Sequence, residues 1–200
     1  VIYLDYAKAF DKVDHNILLA KLNKIGVKGK MLSWLKSFLL GREQTVVVEG
    51  NKSRPQKVRS GVPQGTVLGP ILFILYINDQ LEMLRHCLAK IFADDTKLIG
   101  RISDMVTKEG LQDDLLSVIA WACTNNMQLN ETKFEVLNYT LNRSQWLRTL
   151  PLHTDNYIYY TSEGVPLEPV STVRDLGVLV SSDRSWSNHI AKAVGSARTL

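Results

Sequence analysis

Apolar positions along the chain follow two periodicities, and the places where one gives way to the other mark the elements. Val1 to Leu4 is a β-rich run that ends on Asp5. From Asp14 the spacing lengthens: Ile17, Leu18, Leu22 and Ile25 predict one face of a helix, capped by Asp14 and closed by Gly26. A second amphipathic helix is expected from Lys28 to Leu40, with Met31, Leu32, Leu35, Phe38 and Leu39 toward a core and Gly41 stopping it. Gln44 to Val48 and Gln56 to Ser60 are strand-like, and the polar EGNKSRP between them predicts a hairpin. The apolar run from Val67 is too long for one strand, so a buried helix is expected with Pro70 near its start. Lys90 to Gly100, KIFADDTKLIG, reads as a β-hairpin with Asp94 and Asp95 at or near its turn. Ser103 or Asp104 then caps a helix whose core side is Leu111, Leu115, Val118, Ile119 and Ala122. A turn at Asn130 and Glu131 leads into a strand from Lys133 onward. Arg143 to Asp155 reads as a loop, Tyr157 to Tyr160 and Val173 to Val180 as strands, and a terminal helix begins near Trp186.

Composition narrows this picture only modestly. With 200 residues, 45% of them apolar and 22% charged, the chain can bury the core of one moderate domain. A net charge of +4 permits an anionic partner such as nucleic acid without requiring one. Cys87 and Cys123 stand far apart, which supports neither a disulfide scaffold nor a zinc site and suggests reduced core cysteines. The longest apolar stretch, Ile71 to Ile77, is too short to span a bilayer, so no membrane partner is expected. The chain opens at Val1 inside a strand-like run, and ARTL ends it in mid-pattern, so it reads as a fragment.

Candidate chemistry sits at three points. An isolated Asp-Asp pair is most often a plain acidic turn, and a metal site needs a further ligand. Asp5, at the end of a buried strand, is placed to supply one. Gly61, Pro63 and Gly65 form a constrained turn feeding a helix, where backbone can approach an anion or a flat base. Arg42, Arg54, Lys57 and Arg59 gather around the expected hairpin and could touch phosphates.

Four segments then line up in order: LDYAKAFD (Leu4 to Asp11), SGVPQGTVLGP (Ser60 to Pro70), FADD (Phe92 to Asp95) and WACTNNMQLNETK (Trp121 to Lys133). In that combination the chain resembles the reverse transcriptase of non-LTR (LINE-type) retrotransposons of the jockey-like sort. DLGVLVSSDRSWSNHI (Asp175 to Ile190) resembles the segment that follows in those proteins. Group II intron and telomerase-type reverse transcriptases are nearer rivals than RNA-templated RNA polymerases.

The resemblance implies an α+β polymerase palm with an antiparallel sheet and helices packed on one face, fingers and thumb largely missing. Residues 1–140 would be the palm, with a helical and hairpin insertion at 14–60, and residues 141–200 a loop, a motif E-like strand and the start of a thumb helix. It implies an RNA-directed DNA polymerase that adds dNTPs to a DNA primer 3′-OH on an RNA template; a catalytically inactive remnant or exapted nucleic-acid-binding domain is the alternative. Nucleotidyl transfer of this kind uses two Mg²⁺ ions, or Mn²⁺, roughly 3.5–4 Å apart. Asp5, Asp94 and Asp95 would be the metal-binding carboxylates, with Asp95 the less essential, and Tyr6 would offer a backbone carbonyl. Phe10 matches the residue that excludes a 2′-hydroxyl, Gln64 and Gly65 those that contact nucleotide and template, and Lys133 a lysine proposed to protonate pyrophosphate. Asp11 is read as supporting local structure. The cytoplasm and nucleus are the locations the resemblance implies, and it leaves oligomeric state open.

Overall fold

The computed structural model describes residues 1–139 and 157–198. The expected loop from Arg143 to Asp155 lies outside the described residues. β1 (Ile2–Leu4) buries Ile2 and Leu4 and leaves Tyr3 half-exposed, the period-two pattern of a strand with one face in a core. After a single turn, α1 (Ala9–Lys12), comes α2 (His15–Lys24). Asp14 Oδ1 accepts the N–H groups of Asn16 at 2.8 Å and Ile17 at 3.1 Å, the expected cap. Leu18 and Leu22 are buried, whereas Ile25, expected on the same face, is 59% exposed because the helix has already ended. α3 (Gly29–Leu39) likewise buries Leu35 and Leu39 but leaves Met31 exposed.

The expected long hairpin is two short ladders, β2 (Glu43–Gln44) with β5 (Gln56–Lys57) and β3 (Val47–Val48) with β4 (Asn51–Lys52). Residues 43–57 are all exposed, so no buried face holds one continuous register. α4 (Leu68–Ile77) buries Leu72, Phe73, Tyr76 and Ile77, with Pro70 in its first turn, where an N–H has no helical partner to lose. A 3₁₀ turn over Asn78–Met83 follows.

β6 (Leu88–Phe92) and β7 (Asp95–Ile99) form the expected acidic hairpin. Asp104 then caps α5 (Met105–Thr124), its Oδ1 accepting the Thr107 N–H at 2.8 Å, and the five expected core residues of that helix are all buried. A 3₁₀ turn over Glu131–Lys133 precedes β8 (Glu135–Leu137). β9 (Tyr159–Tyr160) pairs with β10 (Pro166–Leu167), and β11 (Pro169–Val170) follows. The run Val173 to Val180, expected as one strand, is a hairpin of β12 (Thr172–Asp175) and β13 (Val178–Ser181). Leu176 and Gly177 both take positive φ, 47° and 88°, which folds the chain back after two residues. α6 (Ser187–Arg198) is the last described element.

The chain forms two compact units. One comprises Val1–Asp5, Leu84–Ser117 and Asn130–Leu200, and the other Tyr6–Met83 and Val118–Leu129. The first holds a five-stranded sheet in the order β11-β8-β1-β7-β6. The expected antiparallel sheet is present, with β1 between β8 and β7, and β11 adds to β8 in parallel. Ile2, Leu98 and Val136 form a fully buried row across it, and Leu111 of α5 packs against Gly100 just beyond β7. Three consecutive backbone N–H groups, of Arg85, His86 and Cys87, reach the buried Asp114 carboxylate at 2.8–2.9 Å and fix the entry to β6.

In the second unit, the Tyr76 hydroxyl donates to the Asn125 carbonyl, and Lys21 joins α2 to the turn after α4 through Asp79 at 2.7 Å. Trp121 Nε1 also donates to Asp79, at 3.1 Å. Neither cysteine is a fully buried core residue: Cys87 is half-buried and Cys123 exposed, both free. Among the described residues no helix is long and apolar enough to cross a membrane.

Candidate active site

Strand register decides which acidic residues meet. Ile2 lies opposite Leu98, Tyr3 opposite Lys97 and Leu4 opposite Thr96, which leaves Asp5, just past the end of β1, next to Asp95 at the start of β7. On the other side of β7, Phe92 pairs with Asp95, so Ala93 and Asp94 are the two turn residues. Ala93 has φ 52°, at the turn position usually given to glycine. Because side chains alternate along a strand, Asp5 and Asp95 share the face of Tyr3 and Lys97, away from the buried Leu4 and Thr96. That face borders a cleft of about 770 Å³ lined by Tyr3, Asp5, Asp95, Lys97, Lys133 and Asp175, among others.

The electrostatics agree with this grouping. Partial burial, then the charges of Asp94, Asp175 and Asp5, push the Asp95 carboxyl above the ordinary aspartate range, and Lys97 partly offsets them. Lys133 Nζ lies 3.3 Å from Asp5 Oδ2; with the side chains 65% and 42% exposed, the pair is worth at most about 1 kcal/mol. The Asn130 N–H donates to the Asp5 carbonyl at 2.8 Å and holds the strand end in place.

Sequence reasoning missed the partners of this cluster. Lys97 forms an ion pair with Asp175, whose Oδ2 also lies 3.4 Å from the Tyr3 hydroxyl. Lys97 and Asp175 are 78 residues apart, so no local pattern links them.

The donor set suits a hard divalent cation: carboxylate oxygens, close enough that Asp94 and Asp5 disfavour the ionised form of Asp95. Among the described residues no three His, Cys, Asp or Glu side chains close into a metal cage. Mg²⁺ seldom uses one, since it keeps several waters and is held by one or two carboxylates plus substrate phosphates. The residues present therefore fit such an ion.

The other expected site residues belong to the second unit. The Tyr6 backbone bridges Leu129, and its ring is 4% exposed, with burial pushing the phenol up. Phe10 stacks on Phe73 with ring centroids 4.3 Å apart and planes at 17°. Gln64 Nε2 donates to Asp11 Oδ1 at 2.9 Å. Gly65 has φ 74°, and a Cβ there would meet nothing within 4 Å, so conformation rather than crowding calls for glycine. Of the basic residues expected near phosphate, Arg42 is otherwise engaged: Nη2 donates to the Gly61 carbonyl at 2.7 Å and Nε to that of Leu39 at 2.9 Å.

A family model described as reverse transcriptase (RNA-dependent DNA polymerase) matches residues 1–179. The chain is 31% identical over 194 residues to a probable RNA-directed DNA polymerase from transposon X-element of Drosophila melanogaster, covering 94% of this chain and 20% of that protein. It is 28% identical over 205 residues to the RNA-directed DNA polymerase from mobile element jockey of Drosophila funebris, covering 98% and 21%. The chain thus spans about a fifth of the length of these curated relatives. Among solved structures, a telomerase from Candida albicans in complex with the TWJ fragment of telomeric RNA matches with a TM-score of 0.58. That match covers 92% of this chain and 30% of the other at 15% identity, a likeness of fold.

Proposed function

Because the chain belongs to the reverse transcriptase (RNA-dependent DNA polymerase) family, we propose that it is the palm of a non-LTR retrotransposon RNA-directed DNA polymerase, adding deoxynucleotides to a DNA primer on an RNA template. The observation that carries this reading is the antiparallel pairing of β1 with β7, which brings Asp5 within electrostatic reach of Asp95, with Asp94 in the adjoining turn. Residues 1–140 would form the palm and 141–200 the motif E-like and thumb-proximal segment.

Asp5, Asp94 and Asp95 would hold two Mg²⁺ ions, or Mn²⁺, with the Tyr6 carbonyl assisting. When bound, such ions supply charge stabilisation to the attacking and leaving oxygens of a phosphoryl transfer. The remaining roles belong to the chain itself. Phe10, stacked on Phe73, would set its ring against the incoming sugar and exclude a 2′-hydroxyl. Gln64 and Gly65 contact nucleotide and template. Lys133, already beside Asp5, holds a proton at Nζ for the departing pyrophosphate.

Primer extension on poly(rA)/oligo(dT) with Mg²⁺ tests the reading, using this chain, one extended at both ends with the matching regions of a relative, and Asp94→Ala in the extended chain. Extension that is lost in Asp94→Ala is the expected result. Full activity in the alanine variant would remove the metal assignment, and primer–template binding without extension would assign a nucleic-acid-binding module instead.

A further inference from the structure

Asp11 is a motif residue to which the proposed chemistry assigns no task, yet its carboxylate makes a specific contact. Gln64 Nε2 lies 2.9 Å from Asp11 Oδ1. An ionised carboxylate only accepts, so of the two ends of the Gln64 amide it is the NH₂ that must face Asp11. The amide oxygen, Oε1, is thereby turned away from Asp11 and presented as an acceptor.

The backbone around this contact is tied together. Ser60 Oγ donates to the Asp11 carbonyl at 2.8 Å, the Gly61 N–H to the Val13 carbonyl at 2.8 Å, and the Val62 N–H to the Phe10 carbonyl at 3.0 Å. Gly61 permits the approach: φ is 89°, and a Cβ would lie 2.9 Å from Asp11 Cα. The turn that carries Gln64 and the turn that carries Asp11 therefore move as one piece, and Phe10 is the neighbour of Asp11 in that piece.

We infer that Asp11 is a positioning residue, whose carboxylate orients the Gln64 amide so that Oε1 meets a hydrogen-bond donor on the incoming nucleotide, a sugar hydroxyl. The inference rests on the polymerase reading for its ligand and on the Asp11–Gln64 contact for its mechanism. Replacing Asp11 by alanine frees the amide to rotate, whereas asparagine keeps an acceptor oxygen in the same place. Exposure of both side chains limits the effect to a modest one.

Two measurements test it. In the ¹⁵N-labelled 200-residue chain, the side-chain amide signals of Gln64 should move toward those of a free glutamine in Asp11→Ala and stay near their parent positions in Asp11→Asn. In the primer-extending chain, Asp11→Ala should raise KM for dNTP on the order of tenfold with a smaller change in kcat. That rise should vanish in a Gln64→Ala background and be reversed by Asp11→Asn. Gln64 signals that ignore Asp11→Ala, or Asp11 and Gln64 effects that simply add, would overturn the inference. Failure of the polymerase reading shows differently, as extension that survives Asp94→Ala or as no extension at all. In either case the amide signals still decide whether Asp11 orients Gln64.

Discussion

Gly69 lies inside α4 with ordinary helical backbone, where alanine is normally preferred over glycine by about 1 kcal/mol. A Cβ at that position would lie 2.5 Å from the Pro63 carbonyl oxygen, a backbone atom that cannot swing aside. Steric overlap outweighs propensity, so Gly69→Ala is expected to destabilise by about 1–3 kcal/mol, read as a lowered urea midpoint. Asp114 makes a second case at this scale. Burial alone would push its carboxyl up, but the N–H groups of Arg85, His86 and Cys87 outweigh burial and hold it below the ordinary range. The same carboxylate, after burial, helps push the Cys87 thiol up to about 12. Since the folded value of Asp114 lies below the unfolded one, its stabilisation is present above about pH 4 and is lost as pH falls through the folded value. Asp114→Asn is therefore expected to cost about 1–3 kcal/mol at pH 7. The gap to the parent should narrow at pH 3; urea unfolding at the two pH values checks it, and a constant gap would show that the charge is immaterial.

Elements whose cause is local were legible in the sequence. α2 and α5 follow from a capping aspartate and a three-to-four spacing, and both start within a residue of expectation. The acidic hairpin was legible for the same reason, but which aspartate faces Asp5 was not. Moving the two-residue turn by one position, from Ala93-Asp94 to Asp94-Asp95, would slide β7 by two residues against β6, and nothing in FADD itself chooses between them. The β12–β13 hairpin was illegible because its first turn residue is Leu176, an apolar residue held at φ 47° against its own preference. The parallel pairing of β11 and the ion pair of Lys97 with Asp175 depend on chain segments far apart, which spacing cannot report. The same reasoning predicts the effect of easing a turn. Ala93 bears an αL cost of about 1 kcal/mol. Ala93→Gly relieves it while adding some freedom to the unfolded chain. A small net gain in thermal midpoint is expected, with the turn pairing unchanged in hydrogen-exchange measurements; a lowered midpoint would mean that unfolded-state entropy wins.

At the scale of the whole molecule, order along the chain and importance to the fold part company. Each compact unit is assembled from discontinuous segments, and the first five residues supply the central strand of the five-stranded sheet. Removing them takes away the neighbour of both β7 and β8, together with the buried side chains of Ile2 and Leu4. Burial of two such side chains is worth about 3–6 kcal/mol in all, before the ladder hydrogen bonds on both edges are counted. Domain stabilities lie at about 5–15 kcal/mol, so a chain starting at Tyr6 should lose its cooperative unfolding transition. A deletion of residues 187–200 removes nearly three times as many residues, yet the described side chains of α6 are almost all exposed. Its ties to the preceding hairpin include Asn188 to Ser181 at 3.1 Å and the Leu179 N–H to His189 at 3.3 Å. That longer deletion should lower the thermal midpoint by a few degrees while leaving the transition cooperative. Circular dichroism melts of the two truncated chains compare them directly. If the C-terminal deletion proved the more damaging, β1 would not be the strand on which the sheet depends, and the placement of Asp5 against Asp95 would lose its structural basis.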